Sequence, residues 1–230
     1  MSKVAVITGA SRGIGYETCK ELAEEGYHVA AVARSEKPLK ELANSYPDIY
    51  AIPTDLTKEN EVDRLVTLLK KDFKSVDILI NNAGSLINKS FEELTLDDWR
   101  AQLESNLISA VHITKKMLSL FNDSAHIVNI SSMGGFQGSA KFPGLAAYSV
   151  SKGALSILTE CLSVELSDKN IKANALCLGA VQTEMLEEAF PGIEAPLTAN
   201  EMGNYIANFA IEGSTFYNGK ILPVALEDPE

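Results

Sequence analysis

Val4-Ala5-Val6-Ile7-Thr8-Gly9-Ala10-Ser11-Arg12-Gly13-Ile14-Gly15 is the stretch from which the rest of the chain can be read. The apolar run over residues 3–8 is too short for a buried helix and predicts a buried strand. Residues 14–25 then repeat apolar side chains at helical spacing. Glycines between the two let the backbone turn sharply and approach a bound group, and a helix amino end offers unpaired N–H groups to a phosphate. The same glycines also suit a plain strand-to-helix turn, and their spacing is not G-x-G-x-x-G.

Working outward, the pattern repeats. Short Val/Ile/Ala-rich runs at 28–33, 49–53, 76–81, 125–131, 171–177 and 220–224 predict strands. Runs at 36–45, 58–73, 97–120, 148–168 and 199–211 predict helices. Such alternation implies an α/β fold: a seven-stranded, mainly parallel sheet, doubly wound, with helices on both faces and ligands beyond the carboxyl ends of the strands. At 230 residues, with no linker or repeat, one domain over 1–230 is expected.

Composition bounds the function. The net charge of −11 disfavours nucleic acid and anionic membranes as partners. Residues 184–230 carry nine acids against Lys220 alone, or −8. Cys19, Cys161 and Cys177 match no zinc or redox spacing, so no metal is expected. No apolar run has the length of a membrane span or the form of an export signal, so a cytoplasmic location is expected.

Chemistry-bearing residues fall at the strand ends. Ala33 and Arg34 follow the second strand, where a small residue and a cation leave room and charge for an adenosine 2′-phosphate, whereas an acid would bind the ribose diol. Arg12 and Arg34 are expected to clamp that phosphate, or else to be solvated surface arginines. Asp55 is placed to accept from an adenine amino group or to cap a helix. Asn81-Asn82-Ala83-Gly84 suits a ribose contact or a packed polar turn. Asn106 lies mid-helix, where its side chain competes for backbone hydrogen bonds. Ser132 ends the fifth strand. Tyr148 and Lys152, four apart, share a helix face, where a cation would favour phenolate and lower the phenol pKa. Tyr16 and Lys20 repeat that spacing without a serine-bearing strand end before them, and are read as accidental.

The ordered set Thr8 to Gly15, Asp55, Asn81 to Gly84, Asn106, Asn129 to Ser132, Tyr148 to Lys152 and Gly179 to Thr183 resembles the short-chain dehydrogenase/reductase family in its compact single-domain branch. The resemblance implies a Rossmann fold and a catalytic tetrad of Asn106, Ser132, Tyr148 and Lys152. Ser132 would polarise a carbonyl, Tyr148 donate a proton, Lys152 lower the phenol pKa and bind the nicotinamide ribose, and Asn106 hold a relay water. The implied cofactor set is Gly9, Ser11, Arg12, Gly13, Ile14, Gly15, Arg34, Asp55, Asn82, Ala83, Gly84, Tyr148, Lys152, Gly179, Val181 and Thr183, with Val181 and Thr183 on the carboxamide.

Three departures are noted. Leu178 replaces the family's usual proline, Met133 to Ala147 is longer than the common spacing, and the carboxyl end lacks Asp-Gly-Gly. The expected activity is NADPH-dependent reduction of a small, largely apolar ketone or aldehyde, with NADPH preferred over NADH. Met185, Leu186, Phe190, Ile193 and Leu197 would make a lid at about 184–200 apolar. Alternatives are a 3-oxoacyl-acyl-carrier-protein reductase and a non-catalytic NADP-binding regulatory protein. A homo-oligomer, dimer or tetramer, is expected through the helix of Tyr148 and that of Asn106.

Overall fold

In the computed structural model, which describes residues 3–226, strands β1 (Val4–Thr8), β2 (His28–Ala33), β3 (Ile49–Pro53), β4 (Val76–Asn81), β5 (Phe121–Ser132), β6 (Lys172–Leu178) and β9 (Ile221–Val224) form one sheet in the order β3-β2-β1-β4-β5-β6-β9. Every neighbouring pair is parallel, so the sheet is wholly rather than mainly parallel. The order reverses between β1 and β4, the crevice where ligands of doubly wound sheets bind.

Period-two side-chain alternation splits the core. Ala5 and Ile7 join one apolar cluster with α1 (Gly13–Glu24), α2 (Glu36–Ser45) and α8 (Ala199–Glu212); Val4 and Val6 join a second with α3 (Glu59–Asp72) and α5 (Ser109–Met117). Helix α3 shows why these runs are helical: Val62, Leu65, Val66 and Leu69 sit at i, i+3, i+4 and i+7, and all four are buried. Each such side chain contributes roughly 1.5–3 kcal/mol, far more than the tenths that separate helix propensities.

Two predicted boundaries shift for physical reasons. The helix expected over 97–120 is α4 (Leu96–Leu103), a single π-turn (Glu104–Ile108) and α5; α6 (Ala146–Glu165) begins two residues before Tyr148. Strand β6 runs on through Leu178, which pairs with Val224, and Gly179 N–H donates to the Val224 carbonyl at 2.9 Å.

The expected lid segment contains α7 (Glu184–Ala189) and is closed at its base by a second, two-stranded sheet of β7 (Val181–Gln182) and β8 (Leu197–Thr198). Leu197 packs against the main core beside buried Val181, at the base of this segment. Of the nine acids, Glu227, Asp228 and Glu230 lie outside the described residues.

Candidate active site

The glycine turn is held by β4. The Asn82 side chain donates to the carbonyls of Thr8 (3.0 Å) and Gly9 (3.3 Å), while Thr8 Oγ1 accepts from Asn82 N–H and Ala83 N–H at 3.0 and 2.9 Å. Of the two roles read for Asn82, the packed polar turn is therefore the one its amide fulfils. Gly9 has φ +69°, and a Cβ there would lie 2.8 Å from Asn82 Nδ2. Arg12 is the N-cap of α1 but makes no side-chain capping bond, and no acid occupies the first turn. Ile14 packs on the core, whereas Ser11 and Gly13 remain partly exposed at this end. This cradle of glycine backbone and helix N–H groups fits a diphosphate.

The two arginines expected to clamp a 2′-phosphate have different surroundings. Arg12 pairs with Glu188 of α7, Nη1 to Oε1 at 2.5 Å and Nη2 to Oε2 at 3.3 Å, and this carboxylate raises the guanidinium pKa against the opposing effect of burial. Arg34 instead lines a cleft of about 500 Å³ with Pro53, Thr54, Asp55, Lys58, Glu61 and Arg64. Asp55 closes a turn ahead of α3 and does not cap it: its Oδ1 accepts from Thr57 N–H (3.1 Å) and the Thr57 hydroxyl (2.7 Å), while the N-cap position is Lys58. Burial would raise the Asp55 pKa, but these bonds, with Lys58 and Arg34, outweigh it and hold the carboxyl below its usual value.

Asn106 sits in the π-turn, buried, and the extra residue of that turn explains an asparagine inside a helix. Its Oδ1 accepts from Ser85 N–H (2.8 Å), and its Nδ2 donates to the Ser85 carbonyl (3.0 Å) and to Ser151 Oγ (2.9 Å). Ser151 in turn donates to the Tyr148 carbonyl at 2.7 Å, joining the β4–α4 loop to α6. A Cβ on Gly84 would lie 2.7 Å from Asn106 Oδ1 and 3.4 Å from Lys152 Nζ, so its bare Cα is what lets the two groups converge. Ser85 and Ser151 went unread in the sequence because serines carry no spacing signal.

Lys152 is buried, and its ammonium donates to the Ile130 carbonyl at 2.7 Å and stands 5.9 Å from the Tyr148 ring centroid. Desolvation brings its pKa down to about 8, with Cys177 pulling the other way. Tyr148 departs from the expected direction: desolvation raises its pKa, the nearby Ser132 hydroxyl opposes this, and Lys152 is not among the causes. Ser132 Oγ accepts from Gly134 N–H at 3.2 Å, which leaves the hydroxyl proton free to donate.

Two expected carboxamide contacts are otherwise engaged. Val181 is buried in the core, and Thr183 Oγ1 accepts from Leu186 N–H at 3.3 Å, capping α7. Gly179 is fixed to β9 as described above. The long Met133–Ala147 wall is stapled by Lys141, whose ammonium donates to the carbonyls of Phe136 (2.7 Å) and Ser139 (3.1 Å) and to Ser139 Oγ (2.7 Å).

A doubly wound parallel sheet with a phosphate cradle at its reversal point and a Ser–Tyr–Lys group beside it defines an oxidoreductase of Rossmann architecture. The short chain dehydrogenase family model matches residues 3–194, and the chain belongs to that family. It is 32% identical over 185 residues to an uncharacterised oxidoreductase of Staphylococcus aureus, covering 79% of each chain, and 33% identical over 188 residues to an oxidoreductase of Botryotinia fuckeliana, covering 80% of this chain and 68% of the other. Two solved structures superpose with a TM-score of 0.87: an actinorhodin polyketide ketoreductase variant with NADPH (28% identity, 97% of this chain and 96% of that one) and a Serratia marcescens short-chain dehydrogenase/reductase double mutant (29%, with the same coverage).

Proposed function

We propose that the protein is an NADPH-dependent carbonyl reductase acting on a small, largely apolar ketone or aldehyde. We read 1–230 as one dinucleotide-binding and catalytic domain with its lid at about 184–200, working in the cytoplasm. The observation that carries the reading is the pairing of the Ser132 hydroxyl, whose oxygen accepts from Gly134 N–H, with the Tyr148 phenol at the end of β5, beside the buried Lys152 ammonium. A reductase needs such a pair: one hydrogen bond to polarise the carbonyl and one proton to deliver to its oxygen.

The residues present fit a bound dinucleotide. Gly9, Ser11, Gly13 and Gly15 would cradle the diphosphate, Arg34 would take the 2′-phosphate beside Asp55, and Asn82, Ala83 and Gly84 would back the ribose. Gly179, Val181 and Thr183 would face the nicotinamide end through their backbone. A reduced nicotinamide supplies the hydride when bound. Lys152 keeps two ammonium protons beyond the one given to Ile130, enough to hold a ribose hydroxyl and a proton-relay water. Asn106 acts as a positioning residue, because its amide is committed to Ser85 and Ser151.

The actinorhodin ketoreductase likeness supports ketone reduction and NADPH use. Against a carrier-protein substrate, residues 184–226 hold six acids against Lys220 alone, and Lys141 is the single cation in the Met133–Ala147 wall. The test is NADPH oxidation, then NADH oxidation, across free diketones, aldehydes and acyl-carrier thioesters. Turnover of free ketones supports the reading; a clear preference for the thioester, lost as salt rises, replaces it with the carrier reading. Tight NADPH binding with no turnover of any carbonyl would instead favour a regulatory protein.

A further inference from the structure

The chain has four arginines, and two of them are matched to carboxylates: Arg12 to Glu188 and Arg100 to Asp97. Among the described residues, Arg34 and Arg64 have no carboxylate within ion-pair distance, and both line the same cleft at the ends of β2 and β3. The acids in that cleft are already engaged. Asp55 bonds Thr57, Glu61 Oε2 accepts from Asp55 N–H at 2.7 Å, and Lys58 lies between them, 3.6 Å from Asp55 Oδ2 and 3.3 Å from Glu61 Oε1. Both guanidiniums are exposed to water, and in a chain of net charge −11 two cations without a carboxylate partner at one cleft make a local positive site that an anion from outside can occupy.

Arg64 is also held in place. Its Nη2 donates to the Pro53 carbonyl at 2.5 Å, at the end of β3, which anchors one end of the fork and spares its other N–H groups. A fork with spare parallel donors matches a phosphate monoester better than a lysine point charge does. We propose that Arg64 is a specificity-determining residue of this enzyme: with Arg34 it forms a site for the adenosine 2′-phosphate, taking the place of the Arg12 that Glu188 occupies. This rests on the NADPH reading given above.

The test measures NADPH and NADH dissociation constants by cofactor fluorescence on the full chain, for wild type, R34Q, R64Q, R64K and the charge-matched control R100Q, with 2′,5′-ADP and 5′-AMP as cofactor-free probes. R64Q is expected to weaken NADPH and 2′,5′-ADP about tenfold or more while NADH and 5′-AMP stay within about twofold. R64K should recover part of the loss, and R100Q should change neither. Wild type without NADPH preference would overturn the NADPH reading and this site together. A preference that R34Q abolishes and R64Q leaves intact would overturn the role of Arg64 alone, as would an equal loss of both cofactors in R64Q, which marks a structural residue.

Discussion

The Lys152 ammonium stands 5.9 Å from the centroid of the Tyr148 ring, and the Lys20 ammonium stands the same 5.9 Å from the ring of Tyr16. Spacing alone therefore cannot tell a functional pair from an accidental one. What separates them is surroundings: Lys20 is half-exposed and ion-paired to Glu17 at 2.6 Å, whereas Lys152 is buried and bonded to a strand-end carbonyl beside Ser132.

Tyr148→Phe removes the proton donor and is expected to lower kcat by roughly 10²–10⁴-fold while NADPH still binds. Tyr16→Phe should leave kcat within about twofold. Equal losses in steady-state assays would show that the wrong pair has been assigned.

Much of the architecture was legible because strand and helix periods are local. The runs at 28–33, 49–53 and 76–81 coincide with β2, β3 and β4. What escaped reading depends on long-range geometry. The partner of Arg12 lies 176 residues away in Glu188, Arg64 is tied to the cleft by its bond to the Pro53 carbonyl, and the π-turn at Asn106 needs Ser85 and Ser151 to define it. The phenol pKa was misjudged for the same reason: the i,i+4 neighbour is visible in sequence, but burial is not.

Gly84 should tolerate no side chain. Gly84→Ala places a methyl 2.7 Å from Asn106 Oδ1, so either the loop or the Asn106–Ser85 bonds must give way. The expected cost is about 1–3 kcal/mol in urea unfolding, with a larger relative fall in kcat than in cofactor affinity. Wild-type kcat in G84A would mean that this close approach is not needed for turnover.

The lid carboxylate competes for a cation at the mouth of the phosphate cradle. Glu188→Gln frees Arg12, and NADPH is expected to bind about two- to fivefold tighter, consistent with the modest worth of an exposed ion pair. Glu187→Gln, the same charge change on an exposed neighbour without the Arg12 contact, should do less. Equal effects of the two variants would assign the change to net charge.

Assembly follows from what α6 leaves uncovered. Leu155 and Leu166 face inward, but Val150, Ile157 and Val164 are 52%, 58% and 73% exposed, a stripe too apolar for a solvated helix face. A homo-oligomer through this face is expected in light scattering at micromolar concentration, and Ile157→Glu with Val164→Glu should yield monomers. A wild-type monomer would remove the interface.

The last prediction concerns a group outside the site. His126 is buried, its Nδ1 2.9 Å from the Ala210 carbonyl and its Nε2 3.0 Å from Asn174 Nδ2, with the Phe209 ring centroid 5.6 Å away. The two contacts define the tautomer: Nδ1 carries the proton and donates, and Nε2 accepts. Burial lowers the pKa from 6.5 to about 4; the Ala210 bond opposes this, and the Lys172 charge adds to it. Between those two values the unfolded chain binds a proton that the folded chain refuses. Stability from this group is thus complete above about pH 6.5, falls as pH drops through the window and levels off near pH 4, for a total of about 3 kcal/mol. The measurement is the urea-unfolding free energy at pH 7.5 and 5.0 for wild type and for His126→Asn, which cannot titrate. The variant should be less stable at pH 7.5 but lose less on acidification, because its remaining pH dependence comes from carboxylates that both proteins share. Parallel pH curves for the two proteins would show that His126 is protonated in the fold or that its burial is relieved by local opening.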